Sequence, residues 1–326
     1  MMKPERRKLF TFLLICGAAS AAAALIIRSS ARVIGEHSPR IFGATYMTMN
    51  NPYFTALNES IREVVEAHGD ILLTRDPAQN QERQNEQISE MIDEGMTVLF
   101  ANPADWAAID PALEECRKAG VAVFAVDTTL YNTDNVISVI QSDQYEAGRL
   151  VAEDMMKRKP DGARIITLDH YNVHSTVIRL QAFLDQIEGL GRYQVINSSD
   201  DASEIEVGNR DMKRMLALNP DMDVVFGAND PAAIGALSAI QSDRERTGYR
   251  RSVLVYGVDG SPDAKTLIRK GEMTGSAVQY PIRMGRMAAD LAYRYLAGEP
   301  VPKNCDVEVT MLTAETLDPD NLNSWQ

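Results

Sequence analysis

From Ile41 onward the chain alternates short apolar runs with longer amphipathic ones, and this rhythm restricts the fold more than any other feature. The short runs are Ile41 to Tyr46, Ile71 to Thr74, Val98 to Ala101, Val121 to Val126, Val136 to Ile140, Ile165 to Leu168, Tyr193 to Ile196, Val224 to Phe226, Val253 to Val258 and Gly275 to Val278. Between most of them lie helical periods, as where Phe54, Leu57, Ile61, Val64 and Val65 share one face and Gly69 closes the run. Strand, helix, strand repeated this way reads as an α/β chain with parallel sheets covered by helices on both faces. At 326 residues, 45% apolar and 24% charged, the chain exceeds one average soluble domain, so two lobes are expected. No Gly/Ser-rich or Pro-rich linker divides it, so any crossing between lobes must use short hinge strands.

The first residues are of another kind. Lys3, Arg6, Arg7 and Lys8 stand against Glu5, and Leu9 to Ile27 then runs 19 residues without a charge before Arg28. That length approaches a bilayer core, and the basic flank places everything after Arg28 outside the cytoplasm. Residues 1–28 are therefore read as an export signal or membrane anchor, followed by a linker over 29–40. The length favours a retained anchor, Ala19-Ser20-Ala21 offers a cleavage site, and Leu13-Leu14-Ile15-Cys16 approaches a lipidation motif. A net charge of −13 leaves no basic face for nucleic acid. Cys16, Cys116 and Cys305 form no CxxC pair, so neither a disulfide framework nor a zinc cluster is indicated.

Two stretches echo each other. VLFANPAD (98–105) leads through a helix to VFAVD (123–127), and VVFGANDP (224–231) leads through a helix to VYGVD (255–259). The echo puts Asp127 and Asp259 at equivalent carboxyl ends of parallel strands, the rim where open α/β sheets bind ligands. Asn51, Tyr53 and Phe54 follow the first strand onto the same kind of rim, with Pro52 suited to a helix start. A sugar presents hydroxyls that donate and accept, plus apolar C–H faces, so it needs amides, carboxylates and rings together. GxGxxG and GxxxxGK[ST] are absent, which argues against a phosphate or nucleotide cofactor.

MNNPYF, NPAD, AVD at 125–127, QSDQYEAGRL, VIRLQAF, FGANDPAAIGAL, YGVDGSPDA and AVQYPIRMGRMA run in an order that resembles the periplasmic sugar-binding proteins of the ribose- and galactose-binding type, over about residues 41–315. The resemblance implies two Rossmann-like lobes joined by three hinge strands, 41–141 with 280–307 and 142–279 with 308–326. It also implies a soluble component that closes over a small sugar or polyol and delivers it to an ABC permease, or signals to a chemoreceptor or sensor kinase. Carried over by position, Asn51, Tyr53, Phe54, Asp127, Arg179, Asn229, Asp259 and Gln279 contact the ligand, while Gln141 and Gln279 lie at hinge crossings. No cofactor or metal is implied. The chain departs from the ribose pattern in three ways: Thr128 replaces an arginine, Met47 replaces a small polar residue, and Ala202 and Ser203 stand where an aromatic ring is usual.

Each of these residues also has a purely structural reading. Asn51 and Asn229 fit helix caps, Tyr53 and Phe54 fit the core, and Asp127 and Asp259 fit turns. Arg179 fits a solvated helix surface and Gln279 a hinge hydrogen bond. Among catalytic readings, Asp127 and Asp259 match the paired carboxylates of a glycosidase, but GxSxG, HExxH and CxxC are absent. His170 and His174 have a metal-ligand spacing only if helical, and they fall after a strand. A sugar-responsive repressor of the same fold needs a helix-turn-helix before the first strand, where this chain has an apolar span.

Overall fold

The computed structural model describes residues 38–248 and 252–325. The export segment 1–28 and most of the linker expected over 29–40 lie outside the described residues, and no helix within them is long and apolar enough to cross a membrane. The chain order is β1 (Ile41–Thr45), α1 (Pro52–Ala67), β2 (Ile71–Arg75), α2 (Gln81–Asp93), β3 (Met96–Ala101), α3 (Asp110–Ala119), β4 (Ala122–Asp127) and β5 (Ser138–Ser142). There follow α4 (Gln144–Arg158), β6 (Ala163–Leu168), α5 (His174–Ile187), β7 (Tyr193–Ser199), α6 (Ile205–Leu218), β8 (Val224–Gly227), α7 (Asp230–Thr247) and β9 (Leu254–Asp259). The last elements are α8 (Pro262–Arg269), β10 (Gly275–Val278), α9 (Pro281–Leu296), β11 (Asn304–Val307) and β12 (Thr310–Thr313).

Two six-stranded sheets result, one ordered β11-β5-β4-β3-β1-β2 and the other β12-β10-β9-β8-β6-β7. Every neighbouring pair is parallel except β12, which runs antiparallel to β10. The ten expected strands are all present; β11 and β12 are additions that the apolar pattern does not announce. β4 and β8 are buried along their whole length, which is why AVFAVD and VVFG read as unbroken apolar runs.

Each sheet is covered on both faces. Phe100 and Phe124 face α1 and α9 with Leu57, Ile61 and Met284, while the alternate residues Leu99 and Val123 face α2 and α3 with Ile88 and Cys116. In the second sheet Val225 faces Met212 and Ile240 of α6 and α7, and Phe226 faces Val151 and Phe183 of α4 and α5. The period-two alternation thus sorts side chains into two clusters per sheet. The result is two α/β lobes.

The chain passes between the sheets three times: from β5 into α4, from β10 into α9, and from β11 to β12. The lobes are closed on each other. The Trp106 N–H donates to the Asn172 carbonyl at 3.1 Å, the Ser175 N–H to Thr128 Oγ1 at 3.1 Å, and Gln79 Nε2 to Ser203 Oγ at 3.0 Å and Glu204 Oε1 at 3.2 Å.

Helices α4 and α5 approach so closely that a Cβ on Gly148 would stand 2.0 Å from the Arg179 carbonyl oxygen. Gly148→Ala must therefore push α5 away, and overpacking of this kind costs about 1–3 kcal/mol. Thermal unfolding should show a lowered midpoint; an unchanged one would mean the helix pair yields freely.

Candidate functional site

Between the lobes the eight residues implied by the resemblance line one cavity of about 30 Å3, together with Met47, His170, Val173, Ser175, Thr176 and Ser203. Asn51 reaches it as the N-cap of α1, its side chain accepting from the Tyr53 N–H at 2.9 Å. Asn229 caps α7 in the same way, with Oδ1 accepting from the Ala232 N–H at 2.9 Å and Nδ2 donating to the Ser203 carbonyl at 2.9 Å. The cap reading is thus correct for both, and a cap at a strand-to-helix turn also faces the rim. Tyr53 and Phe54 are likewise core and wall at once: both are buried, and Phe54 packs on the rings of Tyr46 and Tyr53. Arg179 is 3% exposed, which removes the solvated-surface reading.

Asp127 and Asp259 end β4 and β9, and both have positive φ, 69° and 132°. Backbone of this kind in a non-glycine residue costs about 1–3 kcal/mol and persists only where surroundings impose it. Asn102 supplies part of that imposition: its Nδ2 donates to Asp127 Oδ2 at 3.1 Å and to the Val126 carbonyl at 3.3 Å, while its Oδ1 accepts from the Met47 N–H. Gln279 Nε2 donates to Asp259 Oδ1 at 2.8 Å. Asp127 Oδ1 and Asp259 Oδ2 are buried with no hydrogen-bond partner, as are both ring nitrogens of His170.

A polar chain joins the two carboxylates across the lobes. Gln144 Nε2 donates to the Asp127 carbonyl at 3.3 Å and to Gln279 Oε1 at 3.2 Å, and Gln144 Oε1 accepts from Arg179 Nε at 2.6 Å. Arg179 Nη1 donates to the Ala228 carbonyl at 2.8 Å. The guanidinium is thereby fixed by neutral acceptors. Behind Asp259 lies Asp230, whose Oδ1 accepts from Ser276 Oγ and whose Oδ2 accepts from the Ser261 N–H, each at 2.7 Å.

Burial dominates the electrostatics. It raises Asp127 above the usual carboxylate range, opposed by the Arg179 charge and the Asn102 amide. It also raises Asp259, to about 8, with the neighbouring Asp230 charge adding to the effect. Asp230 is raised less because Ser276 and Ser261 hydrogen-bond its charged form. His170 is lowered by burial, so it is neutral.

A larger groove of about 670 Å3 adjoins the cavity, sharing Asn51 and Ser203 and lined also by Pro52, Ile205, Pro231 and Trp325. Asp127, Asp259 and His170, each with a buried polar atom that lacks a partner, all line the smaller space, so the chemistry belongs there. Asn102, Gln144, His170 and Asp230 were not read as ligand-site residues from sequence. NPAD, QSDQYEAGRL and the NDP turn held signals for Asn102, Gln144 and Asp230; His170 was weighed only as half of a metal pair. His170 and His174 do not share a helix, since His170 pairs with Asp201 in a β-bridge and His174 opens α5, so their spacing does not carry the metal-ligand reading.

A family model described as a periplasmic binding protein domain matches residues 42–300. The chain is 26% identical over 265 residues to the ribose import binding protein RbsB of Salmonella typhimurium, covering 81% of this chain and 88% of that one. It is 26% identical over 279 residues to RbsB of Bacillus subtilis, covering 86% and 89%. Among solved structures, an ABC transporter solute binding protein from Mycobacterium smegmatis with bound glycerol superposes with a TM-score of 0.79 at 24% identity, covering 88% of this chain and 100% of the other.

A carboxyl raised on folding keeps its proton after the unfolded chain has lost its own. Its stabilising effect is full below the unfolded value and is lost as pH rises through the folded one. Without ligand, stability should therefore fall between about pH 4 and about pH 8, and Asp259→Asn should flatten that fall. Urea unfolding across the range checks this; parallel wild-type and variant curves would contradict it.

Proposed function

The chain belongs to the periplasmic binding protein domain family, and from that premise we propose that it captures a small sugar or polyol outside the cytoplasm and delivers it to an ABC permease. The observation that carries this reading is the convergence of Asp127 Oδ1 and Asp259 Oδ2, both buried and unpartnered, with the ring of Tyr53 on one interlobe cavity. A ligand hydroxyl hydrogen satisfies Asp127 Oδ1, the protonated Asp259 donates from Oδ2 to a hydroxyl oxygen, and the ring covers a C–H face. Relatives named as ribose import binding proteins support the permease as partner, in preference to a sensor kinase. The acidic chain has no nucleic-acid partner in this reading.

The mechanism is hinge closure. The lobes are hydrogen-bonded to each other beside this cavity, so the ligand enters by parting of the lobes 41–141 with 280–307 and 142–279 with 308–326. The three passes of chain between the sheets absorb the motion. Asp127 and Tyr53 on one side meet Arg179, Asn229 and Asp259 on the other only when the lobes close, so binding shifts the population toward the closed state. Residues 1–28 then serve as export signal or anchor, holding the binding lobes at the outer face of the membrane.

The carboxylates bind and do not catalyse. Asp127 Oδ2 is held by Asn102 and Asp259 Oδ1 by Gln279, which orients both as fixed hydrogen-bonding groups. Aryl glycosides incubated with the protein should show no turnover; turnover lost in Asp127→Ala would establish a glycosidase.

A thermal-shift screen of pentoses, hexoses and polyols identifies the ligand. Titration calorimetry should then show Asp127→Ala and Asp259→Ala each weakening it by about 10- to 100-fold, the range for stranding a buried hydrogen-bonding group. Small-angle scattering should show the radius of gyration falling on ligand addition. Wild-type affinity in both variants would remove the carboxylates from the site.

A further inference from the structure

His170 is 3% exposed and lines the cavity, yet neither ring nitrogen makes a hydrogen bond. Its backbone leaves the ring little freedom: the His170 carbonyl accepts from Thr176 Oγ1 and from the Val173 N–H, and the residue pairs with Asp201 in a β-bridge. Nδ1 stands 3.4 Å from Asp201 Oδ1, outside hydrogen-bond geometry but close enough to draw the single ring proton to that nitrogen. Nε2 is then left as an acceptor. A buried imidazole with nothing to bond is costly, and the fold accepts that cost at a cavity wall that otherwise includes the apolar Met47 and Val173.

We propose that His170 is a specificity-determining residue: its Nε2 accepts a hydroxyl hydrogen from the bound ligand on the β6–α5 side of the cavity, away from Asp127 and Tyr53. This inference rests on the sugar-or-polyol reading and narrows it. Asp127 Oδ1 and His170 Nε2 are unpartnered acceptors on two residues that line the same small space, so a ligand that satisfies both brings at least two suitably spaced hydroxyl hydrogens. A phosphate or carboxylate brings none in its ionised form and meets the Asp127 charge. The ligand class is an uncharged polyhydroxylated compound.

The test is titration calorimetry of the full-length protein against neutral pentoses, hexoses and cyclitols, with sugar phosphates and uronic acids as the charged arm. Wild type should bind a neutral member and no charged one. His170→Ala should weaken that ligand by about ten-fold or more, with His170→Asn recovering part of the loss. A monodeoxy analogue that binds wild type poorly should bind His170→Ala no worse than the parent sugar does, a coupling that a merely structural residue cannot produce. If the alanine variant fails to fold, His170→Leu, which keeps bulk and removes the acceptor, carries the same comparison. Unchanged affinity in the folded variants, or deoxy analogues that lose as much on them as on wild type, overturns the role of His170. Tight binding of a charged sugar by wild type overturns the ligand class. Silence of wild type toward the whole panel removes the sugar-or-polyol reading and this inference with it.

Discussion

Two carboxylates, Asp127 and Asp259, are taken out of water at the ends of β4 and β9 without an ion-pair partner among the described residues, and the rest of the molecule is arranged to permit it. Burying such a group without compensation is among the most costly acts in folding. Here the cost is reduced by donors on one oxygen of each group and by proton uptake at Asp259. The Arg179 guanidinium stabilises charge at a distance while bonding only to Gln144 and Ala228. The remaining deficit falls on residues that line the cavity, where the proposed ligand's hydroxyl groups would remove it.

The architecture follows from that need. A parallel sheet directs all its strand ends to one edge, and two such sheets facing each other bring Asp127 and Asp259 to one gap from opposite sides. Gln144 and Gln279 each stand next to a pass of chain between the sheets, so the hydrogen bond that orients the Asp259 carboxylate, and the one that steadies Gln279 in turn, are made by the segments that must bend. Site geometry and lobe position are therefore not independent quantities.

Most of the ten expected strands were legible because they are covered on both faces and read as apolar runs, as AVFAVD and VVFG do; the edge strands β2 and β7 are partly solvated and were legible from the shorter apolar stretches ILL and YQVI. β11 and β12 were not: NCDV and TMLT lie at sheet edges, half solvated, and carry no such signal. The eight residues that share the cavity could be placed from strand-end position and the order of motifs. Asn51 and Asn229 were ambiguous between cap and site because a side chain at that turn performs both tasks. Asp230 was concealed by its place in a first helical turn, where an acid is ordinary; only the packing of Ser276 and Ser261 around it marks it as buried. His170 was concealed differently, since its role depends on a bridge to Asp201, 31 residues away, which no local pattern encodes.

The chain holds two tryptophans, and both sit where the lobes meet. The Trp106 backbone is hydrogen-bonded to Asn172 and its indole lies 4.7 Å from the His174 ring. Trp325 stands edge-on to Tyr53, 5.7 Å away, while the adjacent Ser324 carbonyl is held by the buried Lys265 of α8. Both indoles thus touch the seam, and neither is buried deep inside one lobe. The ultraviolet emission of this protein is in consequence a gauge of its own gap width, readable without any attached dye.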